Sequence, residues 1–347
     1  MHRTIKLAFF SAITILGWLS PSQAIAEPKT AQPTKIRLGT VLPRGSSHYQ
    51  ILESMGQQWR TASDGAFTLT IYPNGTMGGE EDAVRQMRVG QLQAATLSAS
   101  GLSAIDPSVG ALEKIPMVYR SLPEMEYVRA HMEPEIERRM EAKGFVILFW
   151  ADTGWVHIFS RQAAIRPEEF KRTKVFVGAS DNSELEVAKG LGFPAVPLAW
   201  SDVLMSLQTS QVDTVPTAPF MAEAGQYYLV ANHMLEVPWV PLVGATVITK
   251  KAWDAIPEQD HEAFRKAALE AGKQMQARGR QESLESIAAM QKRGLQIHSA
   301  SPELLDEWQR FCETVYPRMR GTMVPADVFD EVVRLTKEYR ASASSKL

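Results

Sequence analysis

From Lys35 onward, short β-type runs alternate with stretches of helical periodicity, the pattern of α/β layers. Ile36 to Val41 predicts a strand closed by Pro43 and Gly45, and Ser47 then caps a helix with Ile51, Leu52, Met55 and Trp59 on one face. Phe67, Leu69 and Ile71 alternate with Thr68, Thr70 and Tyr72, a half-exposed strand that stops at Pro73-Asn74-Gly75. Glu80 to Val89 reads as a helix and Leu92 to Ser98 as a buried strand. Glu124 to Lys143 carries charges of both signs between spaced apolar residues, a surface helix ended by Gly144. The continuous apolar run Phe145 to Trp150 is that of a strand covered on both faces.

The next segment repeats this logic. Strands are predicted at Val156–Phe159, Lys174–Val177, Ala195–Leu198 and Val212–Val215, separated by helices at Ser183–Leu191, Val203–Leu207 and Met221–Leu229. Val243 to Thr249 forms a further strand that returns the chain to the first lobe, and two crossings between lobes make a hinge. Pro257 to Arg293 is dense in Ala, Glu, Gln, Lys and Arg, which predicts one helix on the order of 50 Å long, able to brace both lobes. Leu295 to His298 adds a strand, and two helices start near Pro302 and Pro325. The expected architecture is two α/β lobes: residues 34–150 with about 240–275, and residues 151–239 with about 276–340.

Composition narrows the function. In 347 residues, 45% are hydrophobic and 22% charged, with a net charge of −2, which excludes a disordered tail and a polybasic nucleic-acid binder. The first 26 residues stand apart: His2, Arg3 and Lys6, an apolar run from Leu7 to Leu19, and Ala24-Ile25-Ala26 form a cleavable secretory signal. No other stretch approaches the ~20 apolar residues of a membrane helix, so the expectation is a free exported protein with no membrane insertion. A single Cys, Cys312, rules out a disulfide framework and a Cys-based zinc site and reads as an apolar filler.

Catalytic grammar is missing: there is no G-x-S-x-G, H-E-x-x-H, P-loop, G-x-G-x-x-G or EF-hand loop. The histidines are scattered, with none at metal-binding helical spacing, and no cofactor or metal is expected; His157 is kept because its strand ends near the presumed cleft. The acids Glu80, Glu81 and Asp82 open a helix, where the dipole explains them. The tryptophans say more. Trp150, Trp155, Trp200 and Trp239 fall in or beside the second lobe at strand ends or loop entries, where open α/β sheets place ligand clefts.

Several segments, taken in order, carry a family resemblance: Leu38-Gly39-Thr40 with Pro43-Arg44-Gly45-Ser46; Tyr72-Pro73-Asn74-Gly75 with Met77-Gly78-Gly79-Glu80; Met87 to Leu92; Pro194 to Pro197; Ser206 to Thr209 with Val212-Asp213; and Thr249 to Asp254 with Ile256-Pro257. The chain resembles the solute-binding subunits of TRAP transporters, the DctP-like family, over nearly its whole length after the leader. The resemblance implies a two-lobed periplasmic binding protein of type II-like fold with an interlobe cleft. It also implies hand-over of a small-molecule ligand to membrane subunits driven by an ion gradient.

Departures from the family are informative. Relatives hold a substrate carboxylate with an Arg in a K-[IV]-R-V strand, but here Lys174-Val175-Phe176-Val177 puts Phe176 at that position. A second Arg position reads Val156 followed by His157, and the usual Asn after the V-D pair reads Thr217. Arg offers carboxylate a planar fork of donors that Phe lacks. The expected ligand is therefore less acidic and more apolar than the family's, contacted by Phe176, Trp155, Val156, His157, Trp200 and Thr217, with Trp150 and Trp239 near the hinge. Otherwise a carboxylate must be held elsewhere, by Arg44, Arg161 or Arg166. Two other readings stay open: a periplasmic sensor or carrier serving a different envelope machine, and a secreted hydrolase, which would need a nucleophile with a recognisable base.

Overall fold

The computed structural model describes residues 32–178 and 182–344; the expected signal, residues 1–26, lies outside them. The chain opens with β1 (Thr34–Thr40), α1 (Ser47–Ala62), β2 (Phe67–Tyr72), α2 (Glu80–Arg88), β3 (Ala94–Ser98) and α3 (Ala99–Leu102). Ser46, not Ser47, caps α1, its hydroxyl accepting from the Tyr49 N–H. A 3-10 turn at Pro107–Leu112 leads to α4 (Leu122–Ala142) and β4 (Phe145–Ser160). Next come α5 (Pro167–Phe170), β5 (Val175–Gly178), α6 (Asn182–Gly190), β6 (Ala195–Leu198), α7 (Val203–Gln208), β7 (Thr214–Thr217), α8 (Pro219–Ala224) and β8 (His233–Thr249). The chain ends with α9 (Lys250–Asp254), α10 (Glu258–Lys292), β9 (Gln296–Ser299), α11 (Pro302–Glu313), α12 (Tyr316–Met319) and α13 (Ala326–Ser344).

All nine strands form one sheet in the order β2-β1-β3-β8-β4-β7-β5-β6, with β9 beside the start of β8. Two strands carry the chain between lobes. Phe145–Trp150 and Val156–Phe159, expected as separate strands, are the two halves of the 16-residue β4, and Val243–Thr249 is the end of the 17-residue β8. The sequence Asp152-Thr153-Gly154 reads as a turn, but the sheet absorbs it as an irregularity. The β4–β8 register shifts between Asp152 and Trp155, Gly154 takes φ +92°, and the Asp152 carboxylate accepts from the Gly154 N–H at 3.3 Å. Pro238 and Pro241 on β8 cannot donate to the ladder, and Pro241 pairs with Trp155 beside that break.

The predicted brace is present as α10, 35 residues and about 52 Å long at 1.5 Å per residue. Two glycines let it lie close to β4: a Cβ at Gly272 would stand 2.8 Å from Phe149, and one at Gly279 would stand 2.8 Å from Thr153. Arg280 reaches from α10 to the break in β4, donating to both Asp152 oxygens at 2.7 Å and to Glu126 of α4 at 2.6 Å. Gln276 donates to the same two carboxylates. The final helix, α13, packs along α4, where Arg340 donates to the buried Glu124 at 2.7 Å. Cys312 is fully buried in the largest apolar cluster, and burial pushes its thiol well above the usual range.

Candidate functional site

Strands β1 and β3 run parallel in one half of the sheet, and β5, β6 and β7 run parallel in the other. Open α/β sheets bind ligands outside the carboxyl ends of parallel strands. Those ends here are Thr40 and Ser98 on one side and Gly178, Leu198 and Thr217 on the other, flanking the crossing strands β4 and β8. Helices start directly after several of them, α1 after β1 and α8 after β7, and they meet: the His48 ring lies 6.4 Å from that of Phe220, nearly parallel to it. The crevice is therefore closed by a contact between the two halves.

Some buried polar atoms of the crossing strands and their neighbours have no partner. Among the described residues they include His48 Nε2, Thr153 Oγ1, Thr217 Oγ1 and Trp150 Nε1. His48 and Thr153 share one small space, since a Cβ at Gly279 would stand 3.0 Å from His48 Nε2 and 2.8 Å from Thr153 Cγ2. Burial lowers the His48 pKa, with Glu282 opposing that shift from 3.7 Å and Arg278 adding to it. Unsatisfied buried polar groups cost about 1–3 kcal/mol each, so His48 and Thr153, side by side at Gly279, mark a place able to receive a hydrogen-bonding partner. Among the scattered histidines of the sequence, the one signal at His48 is its place in the first turn of the helix that follows β1.

Beside the crossing strands lies a cavity of about 120 Å³. Ser100, Glu113 and Pro116 line it from one half, and Val156, Val177 and Val187 from the other. Its charged lining residues are Glu113 and Lys114, adjacent and of opposite sign. An apolar cavity of ~150 Å³ holds benzene, so this space is of that order.

The eight residues singled out in the sequence divide between these places. Val156, Phe176 and Trp239 line the cavity. Trp150, Trp155 and Trp239 pack in the same apolar cluster, where Trp239 stands edge-on to Trp308 at 5.9 Å. Phe176, 3% exposed, belongs to a different cluster with Val203, Leu207 and Val215, and its ring meets the edge of Trp200 at 4.6 Å. Trp200 itself is 43% exposed. His157 and Thr217 are register partners on β4 and β7 and do not line the cavity. The Val237 carbonyl 3.2 Å from His157 Nδ1 can only accept, so the Nδ1–H donates to it. Burial lowers the His157 pKa, against Glu236 and the Val237 hydrogen bond, which raise it.

The arginines named as alternative holders of a carboxylate have other places. Arg161 follows β4 and donates to Ser210, at the amino ends of β5 and β7 and away from the crevice. Arg166 pairs with Glu307 at 2.5 Å. Arg44, exposed before α1, lies over the Tyr49 ring at 5.6 Å. The acids at the start of α2 divide as well: Glu80 accepts from the Ser98 N–H and hydroxyl, and Asp82 from the Gly79 N–H. Among the described residues no group of three or more His, Cys, Asp or Glu is placed to hold a metal, and no helix is long and apolar enough to cross a membrane.

Comparison with known proteins gives the family. The chain is 24% identical over 282 residues to a solute-binding protein of Chromohalobacter salexigens, covering 80% of this chain and 82% of that one. It is 22% identical over 317 residues to the C4-dicarboxylate-binding periplasmic protein DctP of Rhodobacter capsulatus, covering 88% and 92%. Its fold matches a TRAP periplasmic solute-binding protein of Chromohalobacter salexigens solved with bound D-glucuronate, with TM-score 0.79, 20% identity, and coverage of 87% of this chain and 99% of that one. The model of the bacterial extracellular solute-binding proteins, family 7, matches residues 38–322, and the chain belongs to that DctP family of two-lobed TRAP solute-binding proteins.

Proposed function

We propose that this protein is the periplasmic receptor of a TRAP-type secondary transporter and that its ligand is an uncharged or weakly polar molecule with an apolar body. The observation that carries the reading is the neutral character of the unpartnered buried groups at His48, Thr153, Thr217 and Trp150. They are two Thr hydroxyls, a Trp N–H and a His whose pKa burial lowers, while Arg161 pairs with Ser210, Arg166 with Glu307, and Arg44 lies over Tyr49. The cavity's charged lining residues, Glu113 and Lys114, are of opposite sign and bring it no net positive charge, and burying a carboxylate without a cationic partner costs several kcal/mol. Neutral hydroxyls and an indole N–H suit a hydroxyl or carbonyl on the ligand, and the valine-lined cavity suits its apolar part. The ligands of the similar proteins, D-glucuronate and C4-dicarboxylates, both carry carboxylates and fit this arrangement less well.

The reading includes a lobe division of 34–150 with about 240–275 against 151–239 with the segment after about 276, the last helix joining the first lobe through α4. The lobes close on the ligand about β4 and β8, α10 stays in contact with both, and the loaded receptor docks on membrane subunits. Export by removal of residues 1–26 and the lack of catalytic activity belong to the same reading. A thermal-shift panel tests it: neutral apolar and hydroxylated compounds should raise Tm, since a ligand at 100 times its Kd adds about 2.7 kcal/mol. Strong stabilisation by D-glucuronate or succinate, with no response to neutral compounds, would overturn the ligand class.

A further inference from the structure

On the sheet region carrying β9, two histidines meet outside the crevice. His233 opens β8, and His298 lies on β9, which runs parallel beside it with His233 opposite Gln296 and Leu235 opposite His298. Side chains two residues apart on a strand share a face, so His233 and His298 are diagonal neighbours on one face. His233 Nδ1 and His298 Nε2 are 2.9 Å apart, and the ring centroids are 5.2 Å apart with 26° between planes. Both residues are half-buried, which leaves solvent access to the pair. Burial, and then the neighbouring His298, lower the His233 pKa.

We propose that His233 and His298 form a bidentate site for a divalent transition ion of tetragonal preference, Cu(II) or Ni(II), with water completing the coordination. The spacing selects the ion. Two nitrogens 2.9 Å apart, each about 2.0–2.1 Å from a common metal, subtend about 90° at it, the cis angle of square-planar or octahedral coordination. A tetrahedral ion would need the nitrogens roughly 3.3 Å apart, so Zn(II) fits less well. In the metal-free pair one proton lies between Nδ1 and Nε2. On binding it moves by tautomerisation to an outer ring nitrogen, leaving each imidazole neutral with one N–H and releasing no net proton. The bound ion clips β9, which follows the long brace α10, to the start of β8.

The test is titration of the untagged protein with CuCl2, NiCl2 and ZnCl2 at pH 7.5, read by calorimetry and, for copper, by electron paramagnetic resonance. The expected result is one Cu(II) per chain with nitrogen hyperfine structure from two imidazoles, affinity in the order Cu(II) above Ni(II) above Zn(II), and at least tenfold weaker binding in both His233→Asn and His298→Asn. Equal circular dichroism of the variants and the parent shows that the loss is local. No stoichiometric Cu(II) binding by the parent, or binding unchanged in both variants, overturns the site.

Discussion

Arg280→Met removes the cation that neutralises Asp152 at the break in β4. Asp152 is 3% exposed, and in the variant its carboxylate keeps only the Gln276 amide and the Gly154 N–H. Breaking a buried pair by removing one partner costs about 3–5 kcal/mol, because the remaining charge is left uncompensated. Glu126, the other acceptor of Arg280, is about one-third exposed and regains water, so Asp152 sets the size of the effect. At ~2.1 cal/mol/K per residue, unfolding some 310 residues carries about 0.65 kcal/mol/K, so the loss appears as a fall in Tm of roughly 5–8 °C. Asp152→Asn in the Arg280→Met background removes the stranded charge, keeps the shape, and should recover more than half of that fall. The assay is thermal unfolding followed by circular dichroism for the parent, both single variants and the double variant. A fall below about 1 °C for Arg280→Met, or a double variant no more stable than Arg280→Met, would refute the view that Arg280 holds a buried charge at the break in β4.

Four further outcomes follow from the same structure. His157 is held neutral by burial, so its folded pKa lies below the ~6.5 of the unfolded chain; its contribution is complete above about pH 6.5 and is lost as pH falls from there through the folded value, by up to about 1.4 kcal/mol per pH unit. Urea unfolding at pH 7.5 and 5.5 should show this slope and a shallower one for His157→Gln, and equal slopes would contradict it. Phe176→Arg puts a guanidinium among Val203, Leu207 and Val215 at the cavity wall, and should lower stability by more than about 3 kcal/mol, whereas Phe176→Leu should cost under about 1.5 kcal/mol; a stable Phe176→Arg protein would show that the cavity accommodates the cation. Thr217→Val removes an unpartnered hydroxyl at nearly constant volume, so the empty protein should gain up to about 1 kcal/mol in urea unfolding while ligand affinity falls, and a clear destabilisation would mean the hydroxyl has a partner. Gly279→Ala places a methyl 2.8 Å from Thr153 and 3.0 Å from His48 and should cost about 1–3 kcal/mol in thermal unfolding, so an unaffected Tm would show that α10 has room to move.

Much of the fold was legible because its signals are local. The alternation in Phe67–Tyr72, the charged face of Leu122–Ala142 and the helix formers of Glu258–Lys292 each depend on one segment's own periodicity, and each element stands where the pattern put it. The continuity of β4 and β8 was not legible, because Asp152-Thr153-Gly154 and the prolines of β8 carry turn chemistry that only pairing between two distant strands overrides. The site shows the same division. Trp150, Trp155, Trp239 and Phe176 could be singled out from sequence, but their separation into different clusters depends on which face each strand turns to which helix. His48 escaped notice because nothing in its own segment reports that Phe220, 172 residues away, would stand against it.

The claim that the receptor takes an uncharged ligand is tested most directly by native mass spectrometry of the protein purified from its own periplasm without refolding, followed by accurate mass of whatever is released. The account predicts a single bound molecule that carries no carboxylate and has an apolar body with one or more hydroxyl or carbonyl groups. A released sugar acid or C4-dicarboxylate, bound one per chain, would contradict it.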